Sequence, residues 1–171
     1  MDNIDNILWL NPGHKQRRYD LAVSENNKLF KKSTNRLHDT LSTELKCLQF
    51  AKDLGLNRIQ RVVDGNIDRE GISYIITEHC GRNLTRSRVP TDWREQLLDI
   101  DDQLNMLITT HKVYHNDVQV RNCFINNDGQ LRIIDFDLAT IGKPNRRSSG
   151  RPGFLNCDFI RDKIIDRWNI K

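Results

Sequence analysis

The stretch His115-Asn116-Asp117-Val118-Gln119-Val120-Arg121-Asn122, followed by Ile134-Asp135-Phe136-Asp137, holds the residue types and spacing best suited to chemistry in this chain. An Asp, an Asn five residues later and a second Asp beyond an intervening strand all fall at loop or strand ends, where side chains are free to converge. Two carboxylates and an amide oxygen make a hard-oxygen donor set that suits Mg²⁺, an ion that keeps waters and substrate phosphates in its remaining positions. Phosphoryl transfer requires such a set. Seen singly, Asp117 reads as a loop cap and Asp135 as a turn former; their joint spacing with Asn122 favours the chemical reading.

The elements that must position these groups are legible in outline. Residues 7–10 read as a short strand ended by Asn11-Pro12-Gly13, and 19–24 with 28–32 as a hairpin about Glu25-Asn26-Asn27. Leu41, Leu45, Leu48 and Ala51 recur at helical spacing, predicting a helix over 41–54 with Thr40 or Ser42 as its cap and Gly55 as its stop. The β-branched runs 59–63 and 72–77 predict a second antiparallel pair around a charged turn. After a connector at 78–90, Thr91 or Asp92 can cap a helix over 93–111 with an apolar stripe of Leu97, Ile100, Leu104, Leu107 and Ile108. Residues 123–125 and 131–134 flank a turn with an Asp-Gly signal, 142–153 reads as a loop, and 154–168 as a final helix.

At this spacing the chain resembles the protein kinase-like superfamily, whose catalytic loop H-x-D-x-x-x-x-N is followed by D-F-G. The match is carried by His115, Asp117, Asn122 and Asp135-Phe136, within an element order that resembles the small lobe and hinge of that family. The resemblance implies an α+β, two-lobed fold with a small β-rich N-lobe over 1–78 and, over 79–171, the hinge and a strongly reduced helical C-lobe. It implies ATP and Mg²⁺ as cofactors. Asp117 would orient the acceptor hydroxyl and Asn122 and Asp135 would hold the metal. Lys31 or Lys32 would align the phosphates, with Glu44 as ion-pair partner; Lys31 is favoured because it shares a strand face with Leu29, a better fit over adenine than Phe30. Thr77 would stand at the gatekeeper position, and backbone groups of Glu78 and Cys80 would meet the adenine edge. His115 would prop the loop.

Several positions depart from the pattern. The expected glycine-rich loop offers only Gly13, beside His14, Lys15, Arg17 and Arg18. Gln119 stands at the nucleotide-facing position where Ser/Thr kinases carry lysine, with Arg121 as a partial substitute, and Asp137 replaces the glycine of D-F-G. Only 34 residues, 138 to 171, follow Asp137, fewer than the usual set of C-lobe helices needs, so a minimal or truncated kinase is expected. The expected activity is transfer of the ATP γ-phosphate to a Ser/Thr hydroxyl of a protein. A pseudokinase acting as a binding module, and a small-molecule kinase of the aminoglycoside or lipopolysaccharide type, are the alternatives.

Composition sets outer bounds. The chain has 171 residues, 37% of them hydrophobic, with 27 Lys+Arg against 23 Asp+Glu and a net charge of +4. One domain or one small two-lobed unit is expected, with enough chain to bury a core. No apolar run approaches the ~20 residues of a membrane helix and the start, with Asp2 and Asp5, lacks the form of a secretory signal. Cys47, Cys80, Cys123 and Cys157 are scattered singly, which reads as reduced thiols in a cytoplasmic setting, that of a host cell if the streamlined, Asn- and Lys-rich chain is viral. Arg82, Arg86 and Arg88, then Lys143, Arg146, Arg147 and Arg151, form basic clusters without interleaved aromatics, so nucleic acid is not indicated. The surface left by missing helices leaves a homodimer open.

Overall fold

The structure, a computed structural model, describes residues 8–9, 19–23, 28–33, 38–71, 73–145 and 155–168, the residues up to 38 through their backbone. Strands β1 (Leu8–Trp9), β2 (Tyr19–Val23) and β3 (Lys28–Ser33) precede helix α1 (His38–Asp53), and strands β4 (Val62–Asn66) and β5 (Tyr74–Glu78) follow it. These five strands form one antiparallel sheet in the order β1-β2-β3-β5-β4, with Lys31 opposite Ile75 and Lys32 opposite Tyr74.

Helix α1 buries Leu41, Cys47, Leu48 and Ala51, while Leu45 is half-buried. It begins at His38, so Thr40 and Ser42, expected as caps, lie inside its first turns. Its end follows the expectation at Gly55: φ is +69° there, Gly55 N–H donates to the Lys52 carbonyl at 3.0 Å and Leu56 N–H to the Ala51 carbonyl at 2.9 Å. This is the paired closure that a left-handed residue allows, with Leu56 and Ala51 both buried across it.

The run expected as a strand over 59–63 divides between two partners. Its far end joins β4, whereas Ile59 forms a parallel bridge with Ile133, and Gln60 N–H donates to the Ile133 carbonyl at 2.9 Å. Ile59 and Val62 are both buried but three residues apart, a spacing at which a single alternating strand would put them on opposite faces.

The rest of the chain is built on helix α2 (Trp93–His111), which buries Trp93, Leu97, Ile100, Leu104 and Leu107; Ile108, expected in its stripe, is half-buried. Asp92 occupies the cap position, but its carboxylate accepts from Gln96 Nε2 at 2.9 Å and makes no capping bond to the backbone. The connector contains a two-residue strand, β6 (Arg82–Asn83), and a 3₁₀ turn at Leu84–Arg86. Strands β7 (Val113–Tyr114), β8 (Cys123–Ile125), β9 (Leu131–Ile133) and β10 (Thr140–Ile141) follow, giving a β6-β8-β9 sheet and a β7-β10 pair. Helix α3 (Asp158–Trp168) starts later than the expected 154, with the preceding Cys157 N–H held by the Asp101 carboxylate at 2.7 Å; residue 154 lies outside the described residues. Among the described residues no helix is long and apolar enough to cross a membrane.

Candidate active site

Asp117 sits in the loop after β7, Asn122 ends a 3₁₀ turn at Val120–Asn122 just before β8, and Asp135 follows β9 at φ +68°. The β8–β9 hairpin is what brings the last of these back to the first two. Asn122 Nδ2 donates to the Asp117 backbone carbonyl at 3.0 Å and to its Oδ2 at 2.8 Å. The amide thereby commits its donor atom to Asp117, and Oδ1 is the atom that can face a cation. Ile134 N–H donates to the Asn122 carbonyl at 2.9 Å, tying the second segment to the first.

His115 forms the prop beneath. It is 2% exposed, its Nδ1 accepts the Asp117 N–H at 3.2 Å and its Nε2 lies 3.0 Å from the Ile134 carbonyl. An Nδ1 that accepts leaves the proton on Nε2, which donates to Ile134, so the ring is neutral. Burial pushes its pKa below the ordinary value, against the opposing pull of the Ile134 carbonyl and the Asp135 and Asp117 charges. Phe136 packs against this ring at 4.4 Å between centroids.

Asp117 is 5% exposed and its carboxylate is fully engaged. Gln119 Nε2 donates to Oδ1, and Arg121 Nη2 to Oδ2 at 2.7 Å. That bond to Asp117 is the largest cause of the raised pKa of Arg121, to which the Asp135 and Asp137 charges add. Gln119, expected at the nucleotide, thus lies on the aspartate.

Helix α1 packs against the Phe136–Leu138 turn, and on it Glu44 is completely buried. The side chains of Lys31 and Lys32, its expected partners, and the glycine-poor loop at 12–18 lie outside the described residues. Thr77 is buried in β5 and its Oγ1 accepts from Gln60 Nε2 at 2.8 Å. Next to it, the Glu78 carboxylate meets Arg61 at 3.2 Å and Arg132 at 3.3 Å. The Cys80 thiol is 3.6 Å from the Glu78 carbonyl and is pushed up to about 11, chiefly by burial.

Two features were not foreseen. Asn116, between His115 and Asp117, adopts φ +63° and is 6% exposed. Its Nδ2 reaches the Tyr114 and Leu138 carbonyls and Thr140 Oγ1 at 2.9 to 3.0 Å, and its Oδ1 accepts Asn145 N–H at 3.0 Å, so it fastens the segment after Asp135 to the loop that bears Asp117. The only signal in the sequence is that Asn tolerates the left-handed region. The second is Arg58, whose guanidinium joins the 57–60 segment to α2 and the hairpin through Asp99 at 2.7 Å, Gln96 at 2.9 Å and Gln130. No local pattern announces it.

Among the described residues no group of three or more His, Cys, Asp and Glu could hold a metal ion. The candidate donor set is therefore a mixed one, an amide oxygen from Asn122 with the Asp135 carboxylate, both hard oxygens of the kind Mg²⁺ takes.

No protein-family model and no curated protein matches the chain. Among solved structures the fold is similar to the Cydia pomonella granulovirus kinase PK-1, with a TM-score of 0.62 at 15% identity, over 82% of this chain and 55% of that one. The chain thus spans about half the length of that kinase. At this identity the likeness establishes the fold, a kinase-like arrangement of mixed helix and strand.

Proposed function

We propose that the protein is an ATP- and Mg²⁺-dependent phosphotransferase that acts on a Ser/Thr hydroxyl of a protein, within a two-lobed unit divided near residue 78, in the cytoplasm of the cell where it acts. The observation that carries this reading is the Asp117–Asn122 pair, locked by two hydrogen bonds and joined through Ile134 to the strand end that bears Asp135.

In this reading Asp117 receives the proton of the acceptor hydroxyl, and Asn122 and Asp135 hold the metal. When bound, the metal neutralises phosphate charge during transfer. The backbone of Glu78 and Cys80 meets the adenine, and Lys31 or Lys32, with Glu44, aligns the phosphates. Neutral His115 keeps the Asp117 backbone in place and takes no proton itself. Positioning and charge stabilisation supply most of the catalysis in such reactions, which suits a site made mainly of hydrogen-bonded props.

One observation favours a second reading, a binding module without turnover: Gln119 and Arg121 occupy both oxygens of Asp117, and for proton transfer Gln119 must yield Oδ1. The two are separated by titrating the protein with ATP, with and without Mg²⁺, beside a radiolabelled γ-phosphate transfer assay. Mg²⁺-dependent saturable binding is expected, with transfer reduced at least about a hundredfold in Asp117→Ala while ATP still binds. Asp135→Ala should weaken the Mg²⁺-dependent part of binding. Transfer unaffected by Asp117→Ala, or no ATP binding at millimolar concentration, refutes the phosphotransferase reading.

A further inference from the structure

Most described arginine side chains are already matched. Arg58, Arg61, Arg69, Arg121, Arg132 and Arg161 each meet a carboxylate, and Arg94 and Arg167 lie over tryptophan rings. Arg82, Arg86 and Arg88 stand apart: all three are exposed, and among the described residues none makes an ion pair or ring contact. From 79 to 91 the chain contains no Asp or Glu that could neutralise them locally.

This strip is fastened beside the catalytic loop. Asn83 Nδ2 donates to the Arg121 carbonyl at 2.6 Å, and the Leu84–Arg86 turn packs against the Val120–Asn122 turn, which begins three residues after Asp117. Its backbone is held in shape by Thr85 N–H on Asn83 Oδ1 at 2.9 Å and by Ser87 Oγ on the Asn83 carbonyl at 3.0 Å. The backbone that carries these three exposed guanidinium groups is thus an ordered support fastened to the loop that follows Asp117, and none of the three has an ion-pair or ring partner among the described residues.

We propose that the Arg82–Arg88 strip is a docking rim that selects a peptide segment carrying anionic side chains, carboxylate or phosphate, near the hydroxyl to be modified. Guanidinium forks bind both anions bidentately. A single-stranded nucleic acid is the poorer fit, because such ligands use aromatic stacking platforms. The 79–91 segment has no Phe, Tyr or Trp, and the adjoining Trp93 is 2% exposed. The inference deepens the phosphotransferase reading by naming its acceptor, but binding tests it without turnover.

The experiment uses the full chain and fluorescently labelled serine peptides flanked by Asp/Glu, by phosphoserine or by Lys/Arg, read by anisotropy without ATP, with a ribo-oligonucleotide as competitor. Anionic peptides should bind at least about tenfold tighter than the basic one, a difference of ~1.4 kcal/mol. The preference should shrink as salt rises. In the Arg82→Glu, Arg86→Glu, Arg88→Glu triple variant, checked for an unchanged circular dichroism spectrum, it should disappear or invert. The Asp/Glu and phosphoserine arms identify which anion is preferred. Equal binding of acidic and basic peptides, an unaltered preference in the triple variant, or tighter binding of the oligonucleotide each overturns the proposal. Transfer to peptides of any charge with no preference in binding rejects the rim alone, whereas charge-selective binding without transfer rejects the phosphotransferase reading alone.

Discussion

Replacing Arg58 by Met removes the guanidinium while keeping most of the apolar stem. The native side chain donates to Asp99 at 2.7 Å, to Gln96 at 2.9 Å and to Gln130, and its exposure is 14%. Asp99 is 44% exposed, so water recovers much of that ion pair, which counts for about 1 kcal/mol at most. Each charged-donor bond to an amide oxygen adds about 1.5 kcal/mol net, the low end for a charged group. Gln96 Oε1 is not orphaned by the change, because it still accepts the Leu131 N–H at 2.7 Å. The sum, about 4 kcal/mol, is a large part of the ~5–15 kcal/mol that holds a domain together. For a chain of this size it corresponds to a fall in Tm of about 8–16 °C, measured by urea and thermal unfolding followed by circular dichroism. A local readout accompanies it: the Ile133 N–H, which donates to the Arg58 carbonyl at 2.8 Å, should exchange with solvent faster. Arg58→Lys should recover less than half of the loss, since an ammonium cannot span partners on two elements with a planar fork. A loss below about 1 kcal/mol in Arg58→Met, with unchanged exchange at Ile133, refutes the view that this residue joins the 57–60 segment to α2 and the hairpin.

Other perturbations follow from the same geometry. At Gly81, φ is +94° and an added Cβ would stand 2.0 Å from the Ile125 carbonyl oxygen, so Gly81→Ala should cost more than about 3 kcal/mol in urea unfolding, and a loss near zero would contradict the β6–β8 approach. Burial holds His115 below its ordinary 6.5, so the folded state binds fewer protons than the unfolded one. Its contribution is complete above about pH 6.5 and is lost as pH falls below that value, at up to ~1.4 kcal/mol per unit. Unfolding midpoints at pH 7, 6 and 5 should therefore fall more steeply for the native protein than for His115→Gln, and parallel pH profiles would show that the ring is not held neutral.

The elements most fully legible in the sequence were those governed by local rules. The periodicity of Leu41, Leu48 and Ala51, the stop at Gly55 and the stripe of Leu97, Ile100, Leu104 and Leu107 correspond to helices α1 and α2. The Asp-Gly turn likewise corresponds to the β8–β9 hairpin. The spacing of Asp117, Asn122 and Asp135 was visible too, because one short hairpin suffices to return the third residue to the first two.

Tertiary structure alone decided the partners. Whether Ile59 continues into β4 or bridges to Ile133 depends on a strand 74 residues away, and a β-branched run carries no mark of which neighbour it will find. The two-residue ladders β6–β8 and β7–β10 are too short to have a pattern of their own. Arg58 reaches Gln96 and Gln130 across separations of 38 and 72 residues, and the buried amides of Gln96 and Gln103 read as polar interruptions of an apolar stripe until that guanidinium and the Asn57 side chain are placed against them. Residue types and spacing determined which groups could do chemistry, because turn propensity and periodicity act over a few bonds. The arrangement of Gln119, Arg121, Asn116 and His115 around Asp117 was decided by packing, because a buried polar atom must find a partner and the fold alone determines which one lies within reach.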